Sequence, residues 1–242
     1  MRRFSIVPLL LSCFFSSTLL AEERINQINY AAVGNVPNDT MKEIEETVDL
    51  HYRRIIKNFN VKDMPPVSIK IWQDRNEFEQ SYGDDAKYVQ GYVVQDLWEA
   101  RFFNGRPELG LGVVHEYTHL VTLAVNPTFN NNPRWLWEAT AIYESGRPPV
   151  PDISKLKCFS ANSYPTIESL EQHPFNIYKV GYFLTDFIIS KWGHDKLVEL
   201  VKSNGNINLT LKVTVKDFEK MWLSFLQKKH KLNFSETSEK NC

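Results

Sequence analysis

What this sequence has little of narrows its role first. Net charge is almost nil, a formal −1 over 242 residues, and no block of like charge interrupts the chain. Neither nucleic acid nor an anionic lipid surface is therefore an expected partner. There is no internal repeat, no low-complexity tract and no linker that would divide the chain in two. Cysteine is scarce: three in all, Cys13, Cys158 and Cys242, none in metal-ligand spacing with another. Cys158 and Cys242 could pair in an oxidising compartment and tether the C-terminal tail; two unpaired thiols is the equal alternative. The apolar run Phe4–Leu20 is short for a bilayer span, and Pro8 and several hydroxyl residues weaken it further.

What is present is a globular composition, 43% hydrophobic and 13% aromatic, enough to bury one sizeable core. The chain opens with Arg2 and Arg3, continues with that apolar run, and reaches Ala21 before Glu22, Glu23 and Arg24. Charge, apolar stretch and small residue in that order form the pattern of a secretory signal peptide over residues 1–21. A periplasmic or secreted single domain over 22–242 follows, with no integral span once the signal is removed. Leu10–Cys13 also resembles a lipoprotein cleavage site, with Cys13 as the lipidated residue. Leu11 is unusual there and the apolar run continues past Cys13, so signal cleavage at Ala21 is the preferred reading.

Periodicity predicts mixed structure first and helices afterwards. Thr40 and Glu43 have capping-box spacing, ahead of an apolar face at Ile44, Val48, Ile55 and Phe59. Val67–Trp72 alternates as a half-buried strand does, Asp74–Glu77 reads as a helix start, and Gly91–Phe103 reads as one or two strands. A helix is expected from Pro107 to about Val125, stopped by Asn126-Pro127. After a turn at 130–133 comes another from Trp135 to Ser145, ended by Gly146 and Pro148-Pro149. Residues 147–165 read as loop, and three more helices are expected near 174–191, 194–203 and 214–229. The fold class is α+β: a small mixed or antiparallel sheet, an active-site helix pair and a mostly helical C-terminal half.

Inside the first helix of that pair lies His115-Glu116-Tyr117-Thr118-His119. Residues four apart share a helix face, so two imidazoles can hold one ion without any loop having to fold first. Glu116 points to the flank, where it can reach a water on the metal rather than the metal itself. Two nitrogen ligands, an open position and an adjacent base make a hydrolytic zinc site. Leu109, Leu111, Val113, Val114, Leu120, Val121, Leu123 and Ala124 crowd the motif, which predicts a buried helix whose polar groups need partners. The third ligand is expected to be Glu138, on the returning helix eighteen residues beyond His119. Glu144 competes for that place but lies near the helix end. His173 and His194 read as surface or helix-end residues.

His115-Glu116-x-x-His119, eighteen residues and Glu138 together resemble the gluzincin metallopeptidases. The closest likeness is to the aminopeptidase-N type, whose second helix reads Trp-Leu-x-Glu-Gly-x-Ala-x-Tyr. Here the stretch runs Trp135-Leu136-Trp137-Glu138-Ala139-Thr140-Ala141-Ile142-Tyr143, with alanine in place of glycine at 139. The smaller peptidase MA-like proteins share this core and a later helix similar to Tyr178–Leu184. The likeness covers about residues 67–230 and is strong at 112–144.

The resemblance implies His115, His119 and Glu138 as zinc ligands and Glu116 as the base that deprotonates a zinc-activated water and protonates the leaving amine. It implies Tyr178, with Tyr182 next, as the oxyanion stabiliser, packing being the equal alternative for both. It implies an edge strand, the stretch ending at Phe103, that pairs with substrate backbone. Two features depart from it. The Gly-x-Met-Glu-Asn segment that captures a free N-terminus is absent, so aminopeptidase specificity does not transfer. Ile142 stands where some gluzincins place an Asp to orient a ligand histidine, so a backbone carbonyl or another acid is expected in that role, or a less tuned site. An exported zinc endopeptidase acting on peptide or protein substrates is the leading reading. A zinc hydrolase of a non-protein envelope substrate and a non-catalytic envelope binding protein are the alternatives. No propeptide is evident, though residues 22–40 could fold over the cleft.

Overall fold

The computed structural model describes residues 27–83, 89–105, 108–146, 153, 156, 164–173 and 176–231. The signal-peptide reading, Cys13, Pro107, Cys158 and Cys242 all lie outside them.

The sheet has four strands in the order β1-β2-β4-β3. Strand β1 (Ile28–Val33) pairs parallel with β2 (Val67–Trp72), from Ile28↔Val67 to Val33↔Trp72. Strand β4 (Glu99–Phe103) lies parallel on the other side of β2, and β3 (Gly91–Val94) closes the sheet antiparallel to β4, with Gly91 opposite Phe102. The alternation read in Val67–Trp72 is real: Val67, Ile69 and Ile71 are buried, with Ser68 and Lys70 partly open. Parallel β1 and β2 need a crossover, and helix α1 (Asn38–Asn58) supplies it, burying Ile44, Val48, Tyr52, Ile55 and Ile56.

Two expectations need correction here. The capping box at Thr40 and Glu43 does not form. Extended Pro37 (φ −59°, ψ 140°) precedes the helix and its carbonyl accepts from Met41 N at 3.1 Å, so Thr40 is already inside the first turn. The segment offered as a cover for the cleft contributes β1 instead, at the sheet edge opposite β3. The second helix start is as read: Asp74 accepts from Glu77 N at 2.9 Å and opens α2 (Arg75–Tyr82).

Helix α3 (Leu109–Val125) is buried on nearly every side, packed on α1, on β3 and β4, and on α4 (Arg134–Glu144). That is what an all-round apolar helix requires. The rest is helical: α5 (Ile167–Gln172), α6 (Ile177–Trp192), α7 (His194–Lys202), α8 (Ile207–Leu211) and α9 (Val215–His230). The α+β class with a helical C-terminal half is the observed architecture. No helix among the described residues is long and apolar enough to cross a membrane.

Helix α4 is fixed at both ends by acids. At its start, Glu171 of α5 accepts from the Arg134 and Trp135 backbone N–H groups at 3.3 and 2.8 Å. At its end, Glu144 is fully buried and takes Arg54 on its carboxylate and its main-chain carbonyl. It also takes Asn58 at 3.1 Å and His194 at 2.9 Å. Between the two ends α4 lies close on α6, because Gly181 has no side chain: a Cβ there would sit 3.1 Å from Ala139 Cα.

Candidate metal centre

Helices α3 and α4 bring His115, His119 and Glu138 together, with one ligand atom of each lying within 4.8 Å of the others. His115 Nε2 is 3.2 Å from His119 Nε2 and 3.2 Å from Glu138 Oε2. In a tetrahedral site with bonds of about 2.0–2.1 Å, ligand atoms stand roughly 3.3–3.4 Å apart, so this spacing needs little adjustment to take zinc. Glu138 Oε2 is buried with no hydrogen-bond donor aligned on it. A cation would satisfy that atom. The donor set therefore fits the metal.

Electrostatics prepare the ligands. Burial alone would raise the Glu138 carboxyl, but contact with His115 and the charges of His115, His119 and Arg134 bring it down to about 2. His119 is held well below its usual value, first by burial and then by His115, so its ring stays neutral and able to ligate. Glu116 is lifted to about 7, chiefly by burial, with Glu138 adding to the rise and His115 opposing it. A carboxyl at that value changes protonation state near neutrality, as a general base must.

Glu116 is not one of the grouped ligands. Its Oε1 lies against β3, 2.8 Å from where a Cβ on Gly91 would stand. Tyr178, on α6, comes within electrostatic reach of Glu138 and Glu116. Burial and then the charge of Glu138 raise its phenol, while the residue remains 44% exposed. Tyr182 does not join the site: it stacks near Tyr143, 5.2 Å between centroids, and its phenol is raised by burial and then by Asp186.

One expectation changes, and two alternatives left open by the sequence are narrowed. The stretch ending at Phe103 is an interior strand, β4; the edge beside α3 is β3, because the chain reverses at Gln95–Trp98 and lays β3 outside β4. Glu144 is no ligand, since Arg54, Asn58 and His194 already occupy it at the far end of α4. No carbonyl or acid among the described residues orients His119: its Nδ1 is buried without a hydrogen-bond partner. Ile142 cannot serve, because it packs toward Gly181 of α6. Trp137 holds the ring instead, stacked face to face at 4.0 Å and 5°. His194 opens α7 and His173 closes α5, and neither joins the metal group.

Sequence reasoning missed Trp137, Gly91 and Arg134. Arg134 was open to detection, since it stands one turn before Glu138 on the same helix face and lies 3.6 Å from its Oε1. A comparison with protein-family models finds no match for this sequence, and a comparison with curated proteins finds none either.

Proposed function

We propose that this chain is an exported zinc-dependent peptidase of gluzincin type, with His115, His119 and Glu138 as ligands and Glu116 as general base. One observation carries the reading: three buried or part-buried ligand residues on two neighbouring helices, with His115 Nε2 3.2 Å from both His119 Nε2 and Glu138 Oε2, and a second acid, Glu116, buried alongside and outside the set. A purely structural metal site has no use for that second acid.

Zinc held there would supply a Lewis acid that acidifies a water and polarises the scissile carbonyl. Glu116 accepts the proton of the attacking water and returns it to the leaving amine nitrogen. Tyr178 donates a hydrogen bond to the carbonyl oxygen as that atom gains charge. The outer side of β3 offers backbone donors and acceptors to an extended peptide. His119, fixed by its stack on Trp137, needs no reorientation to ligate.

Metal analysis of the mature protein tests the centre. One zinc per chain is expected, and His119→Ala and Glu138→Ala should each lose it. Glu116→Gln should retain zinc and lose turnover of a mixed peptide library. If Glu116→Gln cleaves like the wild type, the peptidase reading fails. For the export component, the N-terminus of protein recovered outside the cytoplasm should be Glu22; a lipidated Cys13 would overturn the cleavage site.

A further inference from the structure

Arg134 is the least satisfied charged group at the metal centre. Of its five N–H donors, one approaches Asn131 Oδ1 at a long 3.4 Å. A second group, Nη2, stands 3.6 Å from Glu138 Oε1, beyond hydrogen-bond reach. Its Nε is buried and has no partner at all. The side chain is 31% exposed, so it is neither sealed in the core nor freely hydrated. Buried polar groups in folded proteins nearly always find partners, and a guanidinium left in this state beside a reaction centre calls for one.

The neighbours do not provide it. Glu171 reaches the same helix end but spends its two oxygens on the backbone N–H groups of Arg134 and Trp135. Glu138 offers only a charge contact, and a divalent cation on the triad would draw that charge to itself. Tyr178 lies within the electrostatic reach of both Glu138 and Arg134 and is itself 44% exposed. A planar fork of donors with its one counter-charge committed to a metal is a receptor for a carboxylate.

We propose that Arg134, with Tyr178 beside it, forms an anion subsite that receives a carboxylate of the peptide substrate. The inference deepens the peptidase reading and rests on it. The carboxylate is either the C-terminus of a short peptide or the side chain of an Asp or Glu next to the scissile bond; the chemistry at Arg134 is the same.

The test is a binding measurement on zinc-loaded protein and needs no turnover. Three dipeptide hydroxamates, which anchor on the metal, serve as probes. One carries a free C-terminal carboxylate, one the corresponding carboxamide, and one the carboxamide with a glutamate side chain. Calorimetric titration of the wild type should show one carboxylate probe binding roughly ten- to a hundredfold tighter than the plain carboxamide, the range for a charge-assisted pair. Which one does so identifies the source of the charge. Within Arg134→Gln the ratio of carboxylate to carboxamide affinity should fall to about one, and Arg134→Lys should keep part of the preference. Equal affinities for all three probes in the wild type, or a preference that survives Arg134→Gln, would overturn the subsite. If the carboxamide probe binds and the acids gain nothing, only the subsite falls. If the protein takes up no zinc, the metal-centre reading falls first and the subsite with it.

Discussion

Gly91→Ala asks whether strand β3 sets the position of Glu116. The φ of Gly91 lies in the region open to any residue, so the change costs nothing in backbone conformation. The cost is space. A Cβ there would stand 2.3 and 2.6 Å from two carbons of the Phe102 ring and 2.8 Å from Glu116 Oε1. To reach ordinary contact the ring must retreat by about 1 Å and the carboxylate by about 0.6 Å. Both side chains are buried, Phe102 at 5% exposure and Glu116 at 7%, so neither has free room behind it. Overpacking of this kind costs about 2 kcal/mol, roughly 4–8 °C in Tm for a domain of this size. A displacement of about 0.6 Å at a general base lowers kcat by about tenfold. Zinc content should not change, because no ligand touches Gly91. Phe102→Leu, added to Gly91→Ala, should return most of the stability by removing the ring and should not return kcat. Melting curves, zinc analysis and peptide-library turnover on the wild type, Gly91→Ala and the double variant decide the matter. Recovery of kcat in the double variant, or wild-type turnover in Gly91→Ala, would refute the idea that β3 confines the carboxylate.

Other expectations are read without activity. Trp137→Leu should weaken zinc affinity by roughly 10- to 100-fold and Trp137→Phe by less, because the stack replaces the usual orienting hydrogen bond; competition with a fluorescent chelator measures it. In metal-free protein the folded Glu116 carboxyl titrates near 7, above the 4.5 of the unfolded chain, so its ionisation destabilises the fold progressively as pH rises from 4.5 to 7. Glu116→Gln should therefore gain on the order of 3 kcal/mol over wild type at pH 8 and nothing at pH 4, and a flat difference in Tm would contradict it. Glu144→Ala strips Arg54, Asn58 and His194 of their shared partner and should cost about 3–5 kcal/mol in denaturant unfolding, with zinc stoichiometry unchanged well below the melt.

The helix pair was legible because its information is local. His115 and His119 declare a shared face through their spacing alone, and the Pro133 turn and returning apolar helix place Glu138 opposite them. Helices α6, α7 and α9 are long enough to show a period. Strand β1 is not: Ile28–Val33 lies on a sheet edge with mixed exposure, and its pairing with β2 is decided across the length of α1. Helices α5 and α8, six and five residues long, carry too few turns for a face to emerge. The order of β3 and β4 is likewise non-local, which is why the sequence points to a sheet edge one strand too far inward. The role of Trp137 had no local signal, since a tryptophan amid Trp135, Leu136 and Ala139 reads as core whether or not a histidine lies flat against it.

The two acids that grip α4 have a consequence for how the proposed centre would acquire an ion. Glu171 and Glu144 hold the rod from outside the triad, as bearings hold an axle, and neither needs a cation to do so. A chelator should therefore empty the ligands and leave the scaffold standing, ready to be refilled. Loading would be an event in the life of a finished protein, set by the supply of free ion wherever the chain comes to rest.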